Sequence, residues 1–125
     1  MNATSSSKPS IHIHEANANP THLAEICAGL EEEGIPAAVY SVTGDVKQLA
    51  EEAANGSRLR VGIGITNEYA MLQIRNYTFD IHANDSAQEN DTPTLHINLS
   101  NNDSNLKCRA LGTNAARAVK GGVLV

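Results

Sequence analysis

Apolar positions along this chain switch between a period of two and a period near 3.6. Ile11-His12-Ile13-His14 alternates as a half-buried strand does. Asn19-Pro20 then supplies an N-cap and a proline suited to a first helical turn. Leu23, Ile26, Cys27 and Leu30 recur at helical spacing, predicting a helix from Pro20 to Glu33 with one apolar stripe and a polar face carrying Glu25 and three consecutive glutamates. Gly34 suits the left-handed position after a helix and Pro36 cannot continue one, so this boundary is well marked.

Ala37 to Val42 reads as a second strand. Thr43-Gly44-Asp45 turns it into a second helix with Val46, Leu49, Ala50 and Ala53 inward, ended by Asn55-Gly56. Arg60 to Ile65 is a third strand, in which Gly62 and Gly64 thin the side-chain layer and let another backbone approach. The next strand, Tyr69 to Ile74, is separated from it by only Thr66-Asn67-Glu68. So short a link permits a hairpin but not a parallel crossover, which needs a dozen or more residues, so strand four runs backwards.

Residues 76–93 are polar and read as an exposed loop. Thr94 to Leu99 alternates as a fifth strand. Asn101 to Asn105 is placed to cap a last helix, Leu106 to about Lys120, with Leu111, Ala115, Ala118 and Val119 inward and Gly121-Gly122 at its end. Gly112 inside that helix costs about 1 kcal/mol relative to Ala; it marks either close packing against a neighbour or a tolerated break. The order βαβαββ(loop)βα predicts a three-layer α/β/α domain with a mixed sheet whose first three strands are parallel. We expect a disordered tail over 1–10 and a single domain over 11–125.

Composition narrows the function classes. The chain of 125 residues is 41% hydrophobic, has no Trp, and has only Tyr40, Tyr69, Tyr77 and Phe79 as aromatics, so its core is aliphatic and alanine-rich. A formal charge of −5 argues against nucleic acid, which would call for a basic stripe with stacking aromatics. Met1 to Ser10 is polar without the apolar region of a signal peptide, and no later apolar run approaches membrane-span length, so the expected location is the cytoplasm, with no membrane partner. Cys27 and Cys108 lack metal or redox spacing and read as buried thiols.

Catalytic motifs are missing. Gly62-x-Gly64 lies inside a strand, without a third glycine or a following helix to receive a phosphate. His12 and His14 share one side of their strand, yet no other His or Cys has ligand spacing, so they read as ordinary strand residues. There is no nucleophile elbow, Walker-type loop or HExxH. What stands out is Glu31-Glu32-Glu33, at the helix end where the macrodipole disfavours anions. Either these carboxylates fan out by about 100° each into solvent, or one of them binds a hard cation or a basic partner.

Three blocks carry a resemblance: Gly29-Leu30-Glu31-Glu32-Glu33-Gly34-Ile35-Pro36; Leu59-Arg60-Val61-Gly62-Ile63-Gly64; and Arg109-Ala110-Leu111-Gly112-Thr113-Asn114-Ala115-Ala116-Arg117-Ala118-Val119-Lys120. In this order and spacing the chain resembles the small subunit of the diol/glycerol dehydratase reactivating factor over roughly residues 20–121. The tail and the Asn/Asp-rich loops are longer and more polar than is usual there.

The resemblance implies an anticodon-binding-domain-like fold, sheet order 2-1-3-4-5 with strand four antiparallel, and a non-catalytic subunit that binds no cofactor alone. It implies an actin-like ATPase large subunit as partner, in an assembly of two large and two small subunits. It also implies a B12-dependent dehydratase as target, freed of damaged cobalamin by subunit swapping. Mg²⁺ is implied at the interface with the large subunit, held by Glu32 on alignment of the Gly-Ile-Pro end, or else by Glu31. Glu33, with Asn114, Arg117 and Lys120 of the last helix, is assigned to partner binding; the alternative for that helix is a solvated face with basic residues favoured by the dipole. A diol or a glycerol dehydratase, and the open cytoplasm or a bacterial microcompartment, all fit. Two rivals stand beside this reading: a small-molecule-binding or enzymatic domain using His14, Glu15 and Asn67 at the carboxyl ends of strands one and three, and a diverged dehydratase subunit.

Overall fold

The computed structural model describes residues 8–75 and 94–121, so the expectations for most of the tail and for the 76–93 loop lie outside the described residues. The elements run β1 (Ile11–Ala16), α1 (Pro20–Glu32), β2 (Ala37–Ser41), α2 (Val46–Gly56), β3 (Val61–Thr66), β4 (Tyr69–Ile74), β5 (Thr94–Asn98) and α3 (Ser104–Lys120). They form one five-stranded sheet in the order β2-β1-β3-β4-β5. β1 pairs in parallel with both β2 and β3, whereas β4 is antiparallel to β3 and to β5. The fold class, the strand order and the reversed fourth strand are as the chain pattern and the resemblance predict.

Local chemistry explains the element boundaries. The Asn19 side chain accepts from the Thr21 amide at 2.8 Å, and Asp45 accepts from the Gln48 amide at 2.8 Å, so α1 and α2 each carry a side-chain N-cap. Beyond α1, Gly34 adopts φ +78 and the Ile35 amide donates back to the Leu30 carbonyl at 3.1 Å, closing the helix with a left-handed turn. α3 begins at Ser104, earlier than the Leu106 start expected from apolar spacing. The reason is that Ser104 is buried with its hydroxyl 2.9 Å from His22 Nε2, whereas Leu106 faces solvent. Asp103 makes no side-chain cap bond there; the Ser104 amide donates instead to the Asn101 carbonyl.

The two faces of the sheet are covered differently. Ile11, Ile13, Val61, Ile63, Ile65 and Leu72 pack with Ile26 and Leu30 of α1 and with Cys108, Leu111 and Ala115 of α3. On the opposite face α2 lies directly on β3. A Cβ at Gly62 would fall 2.1 Å from the Ala54 nitrogen, and one at Gly64 would fall 2.4 Å from the Ala50 nitrogen, so only glycine lets the α2 backbone this close. Leu49, Ala50, Ala53 and Ala54 are fully buried in that contact.

The covering helices α1 and α3 also meet backbone to backbone. A Cβ on Gly112 would lie 2.2 Å from the Ile26 carbonyl oxygen, and one on Gly29 would lie 2.4 Å from the Arg109 carbonyl oxygen. Gly112 is therefore a packing glycine, the first of the two roles left open by the sequence. Contacts along the pair advance together, from His22 with Ser104 through Glu25 with Arg109 to Glu33 with Lys120, so the two helices run in the same direction.

Gly112→Ala should therefore destabilise the chain by about 1–3 kcal/mol of overpacking, even though alanine is the better helix former by about 1 kcal/mol. The check is urea unfolding, in which the midpoint should fall with an unchanged slope.

Candidate functional site

The acidic end of α1 is neutralised from within the chain. Arg109 on α3 reaches across the glycine contact with its Nε 3.0 Å from Glu25 Oε1 and one terminal nitrogen 2.7 Å from Glu32 Oε2. At the C-cap of α1, Glu33 accepts from Lys120 Nζ at 3.0 Å. That hydrogen bond and the Lys120 charge, with a further contribution from Arg117, hold the Glu33 carboxyl below its ordinary value. The basic residues at the C-terminal end of α3 are themselves favoured by that helix's dipole. Two of the three adverse carboxylates thus have cationic partners supplied by the tertiary fold.

Glu31 stands apart. Its side chain is exposed and makes no ion pair among the described residues. Its charge is felt by Cys27 one turn back, whose thiol is pushed up chiefly by burial and then by Glu31. Among the described residues no three of His, Cys, Asp and Glu stand close enough to hold a metal ion. A cation at Glu31 would therefore need further ligands from another chain or from water.

The partner-binding residues expected on α3 divide. Lys120 is exposed and Arg117 half-buried beside Glu33, but Asn114 is only 4% exposed and so does not share their open face. Arg109, which organises the corner, had no local signal: its carboxylate partners are 77 and 84 positions away.

The other expected location lies at the opposite end of the sheet. Beyond the carboxyl ends of β1 and β3 is an open cleft of about 590 Å³, lined in part by Asn17, Asp45, Lys47, Asn67, Tyr69 and His96. Tyr69 and His96 stack there with ring centres 5.1 Å apart. A smaller hollow of about 390 Å³ beside it includes Glu15, but that carboxylate is taken up by the Ala18 amide and the Ser41 hydroxyl. His14 lines neither. It lies with His12 against Tyr40 on the α2 side of the sheet, and burial lowers the pKa of both histidines. The three polar residues suggested for a small-molecule site are not brought together.

Comparison with known proteins decides between families. The family model for the dehydratase medium subunit matches residues 8–124. The chain belongs to that family. Among solved structures it is similar to a chain of the diol dehydratase-reactivating factor complexed with ADP and Mg²⁺, at 26% identity and a TM-score of 0.74, covering 94% of this chain and 97% of the other. It is similar also to a chain of glycerol dehydratase reactivase, at 27% identity and a TM-score of 0.73, with 94% and 96% covered. A search of curated proteins returns no match.

The resemblance to the reactivating factor, drawn from residues 20–121, is thus borne out over 94% of the chain. In this member of the medium-subunit family no described helix is long and apolar enough to cross a membrane. Cys108 is buried and its thiol is pushed up to about 11, which makes it a core residue with little thiolate at neutral pH.

The Glu33–Lys120 pair gives a direct test of the corner. Because the folded-state pKa of Glu33 lies below its ordinary value of 4.5, the stability it contributes is present above that value and is lost as the pH falls through the folded pKa. Lys120→Met should return the Glu33 titration toward 4.5, as followed by carboxyl NMR.

Proposed function

We propose that this chain is the non-catalytic small subunit of a reactivating factor for a B12-dependent diol or glycerol dehydratase. It associates with an ATP-hydrolysing, actin-like large subunit in an assembly of two large and two small chains, in the cytoplasm or within a bacterial microcompartment. Its likeness to a dehydratase subunit lets it exchange with that subunit in the holoenzyme, loosening the enzyme so that damaged cobalamin leaves. The observation that carries this reading is the nearly whole-length likeness to chains of two different dehydratase reactivases. The family match to the dehydratase medium subunit supports the exchange step, since a replacement must share the fold of what it replaces.

Mg²⁺ belongs to the same reading, and the ADP and Mg²⁺ of one similar structure support it. Of the two carboxylates considered, Glu31 is the better ligand: it is exposed and unpaired among the described residues, while Glu32 is engaged by Arg109. Mg²⁺ commonly keeps several waters and uses only one or two carboxylates, which suits a single glutamate offered to a partner. Glu33, Arg117 and Lys120 form the adjoining contact surface.

The second reading, a diverged dehydratase subunit, is favoured by the family description alone. Native mass measurement of this chain co-expressed with the reactivase large subunit, or with the dehydratase catalytic subunits, separates the two. The expected result is a stable hetero-oligomer with the former and only exchangeable binding to the latter; stable binding to the catalytic subunits alone would reverse the assignment. Glu31→Gln should raise the Mg²⁺ concentration that half-supports assembly by about tenfold or more, with Glu32→Gln having the smaller effect.

A further inference from the structure

β2 is an edge strand with an unusual composition. Natural edge strands are guarded by charges, prolines or bulges against pairing with other chains. Residues 37–42, Ala-Ala-Val-Tyr-Ser-Val, include no charge and no proline. Val39, Tyr40 and Val42 are 43, 45 and 36% exposed. β2 is bonded to β1 on one side and to no described strand on the other.

The Ile11 amide donates to the Pro36 carbonyl and the Val42 amide donates to the Glu15 carbonyl, both at 3.0 Å. Even-numbered positions therefore face β1, and by the alternation of a strand Ala37, Val39 and Ser41 turn their N–H and C=O groups outward. Such a row is complementary to one kind of ligand, another extended chain.

Both faces beside this edge are prepared for the side chains of an added strand. On the α2 side the ring of Tyr40 lies 5.1 Å from that of His12 and 5.5 Å from that of His14, a shelf that α2, seated on β3, leaves half-open. On the α1 side Val39 offers an apolar contact beside Ile13, its register partner. A strand about 4.8 Å away would set alternate side chains on each.

Resting on the reading of this chain as a reactivating-factor subunit, we propose that the open edge of β2 receives an extended segment of the large partner subunit, continuing the sheet by one strand. A second copy of this chain is the poorer occupant. Two five-residue edges, about 17 Å long, supply only a fraction of the roughly 1,200 Å² of a stable interface, and each copy carries a charge of −5. The large subunit meets the size requirement because β2 begins at Ala37, four residues after Glu33 of the corner proposed as its contact, so edge and corner adjoin.

The test is amide hydrogen exchange on the full chain, alone and in complex with the large subunit. Protection of the Ala37, Val39 and Ser41 amides on complex formation is expected. Val39→Pro removes an outward N–H and none of the β1–β2 hydrogen bonds, and it should weaken association about tenfold or more with unchanged exchange in β1 and β3; Val39→Lys should do likewise. A complex that forms while those three amides still exchange freely overturns the strand addition and leaves the functional reading intact. Failure to assemble with the large subunit under any nucleotide or Mg²⁺ condition overturns both. Protection that rises with the concentration of this chain alone would assign the edge to a second copy and overturn the proposed partner.

Discussion

The contact between Gly29 and Gly112 governs the rest of the structure. Two helices usually keep their axes 8–10 Å apart because side chains stand between them. Here neither residue has a side chain, and carbonyl oxygens of each helix occupy the space a Cβ would need on the other. The close approach lets α1 and α3 share one face of a five-stranded sheet and seal the aliphatic core beneath them. It also sets their register, since a shift along either helix would drive an adjacent side chain into backbone.

That register determines the electrostatics of the acidic corner. Once α3 is seated, Arg109 falls between Glu25 and Glu32, and Lys120 falls beside Glu33. These pairs are largely solvated, and exposed ion pairs contribute only about 0.2–1 kcal/mol each, so the packing positions the charges and not the reverse. Their consequence is selection. With Glu32 and Glu33 engaged, Glu31 is the carboxylate of the run that makes no ion pair among the described residues.

The same device appears on the far face, where Gly62 and Gly64 admit the α2 backbone onto β3. Seating α2 there leaves the β1–β2 flank half-covered, with His12, His14 and Tyr40 exposed to different degrees. The alternating histidines are thus a consequence of layer geometry. They line the margin of an incomplete layer, and no third ligand among the described residues joins them. The sheet therefore presents an acidic corner at one end, an open cleft at the other, and an uncharged edge running between them.

How much of this was legible in the sequence depended on the range of the interaction. Periodicity, caps and loop length alone determined the element order, the antiparallel fourth strand and the helix ends at Asn19, Gly34 and Gly121, because each rests on neighbours a few residues apart. The three sequence blocks that carry the resemblance pointed to the family and the strand order. Tertiary structure decided the roles of Gly29 and Gly112, the early start of α3 through His22 and Ser104, the burial of Asn114, and the pairing of the glutamates with Arg109 and Lys120. Those contacts join residues more than eighty positions apart in most cases, and no local pattern encodes which backbone a glycine admits or which cation a carboxylate meets.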